Sequence, residues 1–218
     1  MQFRNRAEAA QLLGLRLEKY RGQNPLVLAV PRGAVPMGRI IADDLGGELD
    51  VVLVRKLGAP GNAEFAIGSV DESGWTYVAD HAASAGADAA YIEAEKTAQR
   101  EVIRQRRAEY TPVRPPIDPA GRVVIVVDDG LATGATMISA LHALRTKSPS
   151  KIVVAIPVSP PDTLRKVEAL ADETVCLLAP AHFSAVGQFY QEFNQVSDAE
   201  VIAILRTNAG LPRKPVAG

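Results

Sequence analysis

Five aliphatic residues in a row, Val123-Val124-Ile125-Val126-Val127, run directly into Asp128-Asp129-Gly130-Leu131-Ala132-Thr133-Gly134-Ala135-Thr136. No other stretch limits the possible fold so tightly. An unbroken, mostly β-branched run suits a strand covered on both faces, as in the middle of a parallel sheet. Two adjacent carboxylates then fall where such a strand emerges. Gly130 and Gly134 permit close backbone approach or a positive φ, and Thr133 and Thr136 add hydroxyls. From Met137 to Arg145 apolar residues recur at Ile138, Leu141 and Leu144, a helical spacing. The turn is thereby placed at a helix N-terminus, where free N–H groups and the helix dipole favour a phosphate. The competing reading is an ordinary strand-to-helix connection with solvated acids, which accounts for neither the paired acids nor the Gly/Thr spacing. The chain has no G-x-x-x-x-G-K-[ST] sequence, and this turn lacks the G-x-G-x-x-G spacing of a dinucleotide fold.

Elsewhere apolar runs alternate with helical patterns, which predicts an α/β protein with a parallel, twisted sheet flanked by helices. Strands are expected at Leu26 to Val30, Leu49 to Val54, Val123 to Asp128, Ile152 to Val158 and Thr174 to Leu178. Helices are expected at Pro36 to Leu45, Met137 to Arg145 and Asp162 to Ala171. Arg6 to Tyr20 reads as an amphipathic helix through Ala10, Leu13, Leu17 and Tyr20, packed on the sheet with no part in function. Ligands of such sheets collect beyond the strand C-termini. Two further strand ends carry suitable chemistry. Pro31-Arg32-Gly33-Ala34 offers a guanidinium fork beside a flexible backbone, although Pro31 and Pro36 bracketing a plain turn explains it equally. Arg55-Lys56 leads into a stretch from Leu57 to Gly68 whose glycines and Pro60 read as a mobile lid.

The run Val124 to Thr136 resembles the phosphoribosyl pyrophosphate (PRPP) signature of type I phosphoribosyltransferases: four apolar residues, two acids, then a small, Thr-rich turn. The resemblance implies that family's fold, with a helical insertion at about 75–119 and a small C-terminal hood at about 179–208 on a single domain spanning 1–208. It also implies that Asp128 and Asp129 face the ribose hydroxyls, directly or through Mg²⁺ and water. Ala132, Thr133, Gly134, Ala135 and Thr136 would wrap the 5-phosphate. Arg32-Gly33-Ala34 resembles the family's short pyrophosphate loop, which often carries a strained peptide bond. Arg55-Lys56 resembles the orotate-type pair whose lysine contacts pyrophosphate, which points to Lys56 as a catalytic group alongside Asp128 and Asp129. Glu64 would orient a metal-bound water or the nucleophile; a solvated Glu64 and a structural salt bridge for Arg55 compete. For the base, the hood offers Phe183, Phe189 and Tyr190 for stacking and Gln188 for edge hydrogen bonds, against the alternative that these aromatics pack in the core.

The implied activity is transfer of ribose 5-phosphate from PRPP to a nitrogen nucleophile such as a nucleobase, releasing pyrophosphate, by a Mg²⁺-dependent homodimer. Ala132 stands where 6-oxopurine enzymes of the family carry an Asp, as in adenine- and orotate-type turns. A non-catalytic PRPP sensor, or a phosphosugar hydrolase or phosphorylase using the same cradle, would carry the same turn. The formal net charge of -1 over 218 residues gives no global reason to expect nucleic acid. Cys176 is the single cysteine, so no internal disulfide forms, and His81 and His142 have no ligand-spaced partners. With no apolar span or signal segment, a cytoplasmic protein is expected. Asp88 to Tyr110 reads as a long charged helix with a narrow stripe at Tyr91, Ala94, Ala98 and Val102, following a short strand at Trp75 to Ala79. Ser197 and Glu200 form an S-x-x-E cap for a helix over Asp198 to Leu205, and the tail 209–218 is expected to be disordered.

Overall fold

The computed structural model describes residues 2–110, 112 and 116–208, except the side chains of Glu64 and Asn208. The tail expected to be disordered lies outside the described residues. Eight strands are described: β1 (Leu26–Ala29), β2 (Glu48–Val51), β3 (Val54–Ala59), β4 (Asn62–Asp71), β5 (Thr76–Val78), β6 (Val123–Val127), β7 (Lys151–Val158) and β8 (Glu173–Leu178). The helices are α1 (Arg6–Arg16), α2 (Val35–Leu45), α3 (Ala89–Tyr110), α4 (Ala135–Arg145), α5 (Pro161–Glu168) and α6 (Asp198–Asn208), with short 3-10 turns at Glu18–Tyr20 and Val186–Phe189.

The main sheet has the order β2-β1-β6-β7-β8 and is parallel throughout. Its central strands are apolar on both sides, and the strand period of two sorts their side chains into two cores. Val27, Ala29, Ile125, Val127, Val153 and Ala155 meet Leu13 of α1, Ile41 of α2 and Val201 of α6. Leu26, Leu28, Val124, Val126, Ile152 and Val154 meet Met137 and Leu141 of α4 and Val167 of α5. From β1 the chain moves outward to β2, and from β6 it moves the other way to β7 and β8. The β1/β6 boundary is therefore the switch point of the sheet, with a crevice beyond the C-terminal ends.

Capping chemistry sets the helix ends. Asn5 Oδ1 accepts from the amides of Ala7 (3.1 Å) and Glu8 (3.2 Å) at the start of α1. The S-x-x-E cap of α6 closes reciprocally: Ser197 N donates to Glu200 Oε2 at 2.8 Å, and Glu200 N to Ser197 Oγ at 3.2 Å.

Three expectations need correction. The strand expected over Leu49 to Val54 stops at Val51, and the next strand belongs to a second, antiparallel sheet of order β3-β4-β5. The stretch from Leu57 to Gly68, expected as a loop, is the β3–β4 hairpin of that sheet, turning at Pro60 and Gly61. Its Gly68 reflects close packing: a Cβ there would collide with the Tyr77 carbonyl of β5. The stripe assigned to α3 is also displaced. Ile103 and Tyr110 are its buried residues, while Val102 is exposed. Polar ties hold this helix instead: Arg107 binds Glu72 through two nitrogens (2.8 and 3.0 Å), and Tyr91 Oη donates to the Gly58 carbonyl at 3.0 Å. His142 of α4 stacks on Tyr77 at 4.9 Å and joins the second sheet to the first. No helix among the described residues is long and apolar enough to cross a membrane.

Candidate active site

The crevice at the switch point is bounded by the loop after β1 and the turn after β6. In the first, the Pro31–Arg32 peptide is cis. Gly33 then passes directly over Asp129, and a Cβ on it would fall within the Asp129 carboxylate. The residue type is dictated by this close approach. Arg32 Nη1 lies 3.3 Å from Asp198 Oδ2 at the start of α6.

Asp128 and Asp129 leave the C-terminal end of β6 together. The Asp129 amide donates to Asp128 Oδ1 at 2.8 Å, which fixes one carboxylate against the backbone of the next. Burial, followed by the charge of Asp129, holds the Asp128 carboxyl well above its ordinary range. Burial also raises Asp129, and the adjacent Arg6 guanidinium opposes that shift. Arg6 reaches Asp129 Oδ2 with Nε at 2.9 Å and Nη2 at 2.8 Å. Arg6 is itself held in place. Its Nη1 donates to the Asn194 carbonyl at 2.6 Å, and the guanidinium lies 4.0 Å from the centre of the Phe193 ring. Arg6 was expected only to open a packing helix. The pattern of α1 correctly gave its buried face, but no local signal marks a first-turn arginine that meets an acid 123 positions away.

The turn from Gly130 to Thr136 lines an open depression of about 210 Å³, together with Asp128 and Met137. Gly134 takes φ 73° as the cap of α4, leaving the first-turn amides of that helix without intrahelical partners. Thr163 Oγ1 of α5 donates to the Ala132 carbonyl at 2.8 Å, and Leu131 N donates to the Val158 carbonyl at 2.9 Å, so the turn is braced from β7 and α5. Ala132, Thr133 and Thr136 are exposed on it.

Other candidates are dispersed. Arg55 lines a smaller cavity that also touches Pro31 and Thr136. Lys56 does not line it. The Glu64 side chain lies outside the described residues. In the hood the core-packing alternative describes what is seen: Phe189 and Tyr190 are 9% and 4% exposed. Phe183 stacks on Phe189 at 5.4 Å. The Gln188 amide is used within its own turn, its Oε1 accepting from Ser184 N (3.0 Å) and Ala185 N (3.2 Å). Tyr190 reaches the site differently from a stacking ring, since its Oη donates to the Asp129 carbonyl at 2.7 Å. Burial pushes the Cys176 thiol up to about 11, so it is an inert packing group.

Among the described residues no group of three or more His, Cys, Asp or Glu side chains could hold a metal ion. The acid pair nevertheless suits a hard cation that takes one or two carboxylates and completes its shell with ligand oxygens and water. Such a cation would relieve the repulsion between the two carboxylates, the second cause of the raised Asp128 carboxyl.

A parallel sheet with its acids and phosphate-suited turn at the switch point defines the class as an α/β fold with its ligand crevice at the strand C-termini. The phosphoribosyl transferase domain model matches residues 4–193. The chain therefore belongs to the phosphoribosyl transferase family and has the type I fold of that family. It is 46% identical to TT1426 from Thermus thermophilus, whose crystal structure superposes with a TM-score of 0.87 over 96% of this chain and 100% of that one. It is also 39% identical over 204 residues to two Mycobacterium tuberculosis proteins, Rv0571c of strain H37Rv and MT0597 of strain CDC 1551, which carry the provisional name phosphoribosyl transferase. The match covers 93% of this chain and 46% of each relative, so the chain spans about half the length of these curated relatives.

Proposed function

We propose that this domain, residues 1–208, transfers the ribose 5-phosphate group of PRPP to a small nitrogen nucleophile such as a nucleobase and releases pyrophosphate. The observation that carries the reading is the meeting, at one switch point, of the Asp128–Asp129 pair with the Ala132 to Thr136 turn. The first-turn amides of α4 and the Thr133 and Thr136 hydroxyls hold the 5-phosphate. Asp128 and Asp129 accept from the ribose hydroxyls, and Gly33 brings the pyrophosphate loop against them. Arg32 and Arg55 draw on the departing diphosphate, and Lys56 is the next cation along β3. Mg²⁺ bound through the acid pair and diphosphate oxygens would neutralise charge on the leaving group. Positive charge developing on the sugar faces the carboxylates, so positioning and electrostatics suffice without a covalent nucleophile. The reading takes the protein as a cytoplasmic homodimer.

The test is product analysis with PRPP, Mg²⁺ and a panel of bases. Pyrophosphate release coupled to nucleotide formation supports the reading, and PRPP binding without turnover identifies a sensor instead. With Ala132 at the position of the 6-oxopurine Asp, hypoxanthine and guanine are expected to be poor acceptors relative to adenine, a pyrimidine or another nitrogen nucleophile. Efficient turnover of hypoxanthine would reject that part. A folded double variant, Asp128→Asn with Asp129→Asn, is expected to lose both PRPP affinity and its Mg²⁺ dependence in calorimetry.

A further inference from the structure

Between the loop after β1 and the start of α4 lies a cavity of about 170 Å³, whose lining includes Pro31, Arg55, Ile103, Arg106 and Thr136. Its third wall is α3, an element that the site described above does not use. Gln99, Ile103 and Arg106 recur on one face of that helix, at the spacing of its turns. Arg55 Nε donates to Gln99 Oε1 at 2.9 Å, a neutral partner. Arg106 is half-buried and makes no hydrogen bond or ion pair among the described residues. Its charge is felt by the Tyr110 hydroxyl one turn further on. Neighbouring Arg104 and Arg107 both pair with carboxylates, Glu101 and Glu72. Two guanidiniums, the exposed Arg55 and the half-buried Arg106, therefore line one small cavity whose lining includes no acid, an arrangement that suits an anion shared between them.

Position identifies the anion. Thr136 lines both this cavity and the depression formed by the signature turn, and Pro31 begins the loop that covers Asp129. A ligand with one phosphate in the turn and a diphosphate across the ribose reaches from one recess to the other. We propose that Arg106 is a diphosphate-binding residue, forming with Arg55 a guanidinium pair, supplied in part by α3, that grips the leaving group of PRPP. The proposal rests on the PRPP reading above. It gives the long charged helix a role in the chemistry, with Arg106 as the residue that carries it.

The test measures inorganic pyrophosphate and ribose 5-phosphate binding separately, by calorimetry, on the full chain. Arg106→Gln is expected to weaken pyrophosphate binding about tenfold or more, the loss of one charge-assisted contact, while ribose 5-phosphate binding is unchanged. Arg106→Lys, which keeps the charge and loses the fork, is expected to recover part of the affinity. Arg104→Gln, on the outer face of α3, is expected to change neither. Equal pyrophosphate affinity in wild type and Arg106→Gln overturns the proposal and leaves the PRPP reading standing, as does an equal loss for both ligands. If wild type binds neither PRPP nor pyrophosphate, both ideas fall. Arg106-dependent pyrophosphate binding without transfer keeps the proposal and removes the transferase reading.

Discussion

Asp129 is the residue on which the site turns, and its surroundings are supplied by groups from elsewhere in the chain. Arg6 holds Oδ2, Tyr190 holds the carbonyl, and Gly33 leaves the carboxylate its space. Both partners of the Arg6–Asp129 pair are largely buried, with side chains 14% and 16% exposed. Removing one partner of such a pair strands the other charge, at a cost of about 3–5 kcal/mol. Arg6→Met is therefore expected to lose about that much stability near neutral pH, measured by urea unfolding. Without the guanidinium, burial alone acts on Asp129 and its carboxyl rises further. The penalty belongs to the ionised form, so it is expected to shrink as pH falls and the acid takes up a proton. An unchanged penalty between about pH 7 and about pH 5 would mean that Arg6 acts through packing alone. At this scale the sequence showed the acids and the turn, because they are contiguous. It hid Arg6, because nothing within α1 distinguishes a first-turn arginine that pairs across the fold from one that is solvated.

Elements were legible in proportion to how far one period explained them. The four-residue core of β1, all of β6, β7 from Ile152 onward, and most of helices α2 and α4 follow from unbroken apolar runs or clean helical spacing. The β3–β4 hairpin was read as a loop because glycine is ambiguous: in a loop it marks freedom, and at Gly68 it marks the near contact of two backbones. Asp50 was equally opaque. It is an acid inside a strand, 2% exposed, that accepts from Val51 N at 2.7 Å and Ile117 N at 2.9 Å. At the far edge of the main sheet, Glu173 on β8 binds Lys19 (2.8 Å), Tyr20 Oη (2.6 Å) and Lys151 of β7 (3.1 Å). Burial would raise its carboxyl, but these three bonds together hold it at about 2. A carboxyl depressed in the folded state stabilises fully above its unfolded value, here 4.5, and loses that contribution as pH falls towards about 2. Glu173→Gln is accordingly expected to cost about 1–2 kcal/mol near neutral pH, after allowance for solvent screening at the sheet edge. Urea midpoints should converge with wild type across the interval from pH 4.5 downward, and a constant gap would show that charge is not the cause.

Across the whole molecule, the first described residues are stitched to the middle of the hood segment. Phe3 N donates to the Phe189 carbonyl (2.8 Å), Gln191 N to the Phe3 carbonyl (2.9 Å) and Glu192 N to the Arg4 carbonyl (2.9 Å). Phe3 is 1% exposed and lies 5.5 Å from the Tyr190 ring. Truncating a buried Phe costs about 3–5 kcal/mol, so Phe3→Ala is expected to lower the melting temperature by about 6–20 °C and to weaken PRPP binding through Tyr190 and Asp129. Calorimetric melting with unchanged PRPP affinity would separate the stitch from the site. The stitch also sets an order of events during synthesis. Within this domain Arg6 precedes its carbonyl partner, Asn194, by 188 positions. During synthesis the bracket around Asp129 is therefore completed only once the chain through Asn194 has emerged, and a polypeptide released earlier carries the acid pair with Arg6 unbraced.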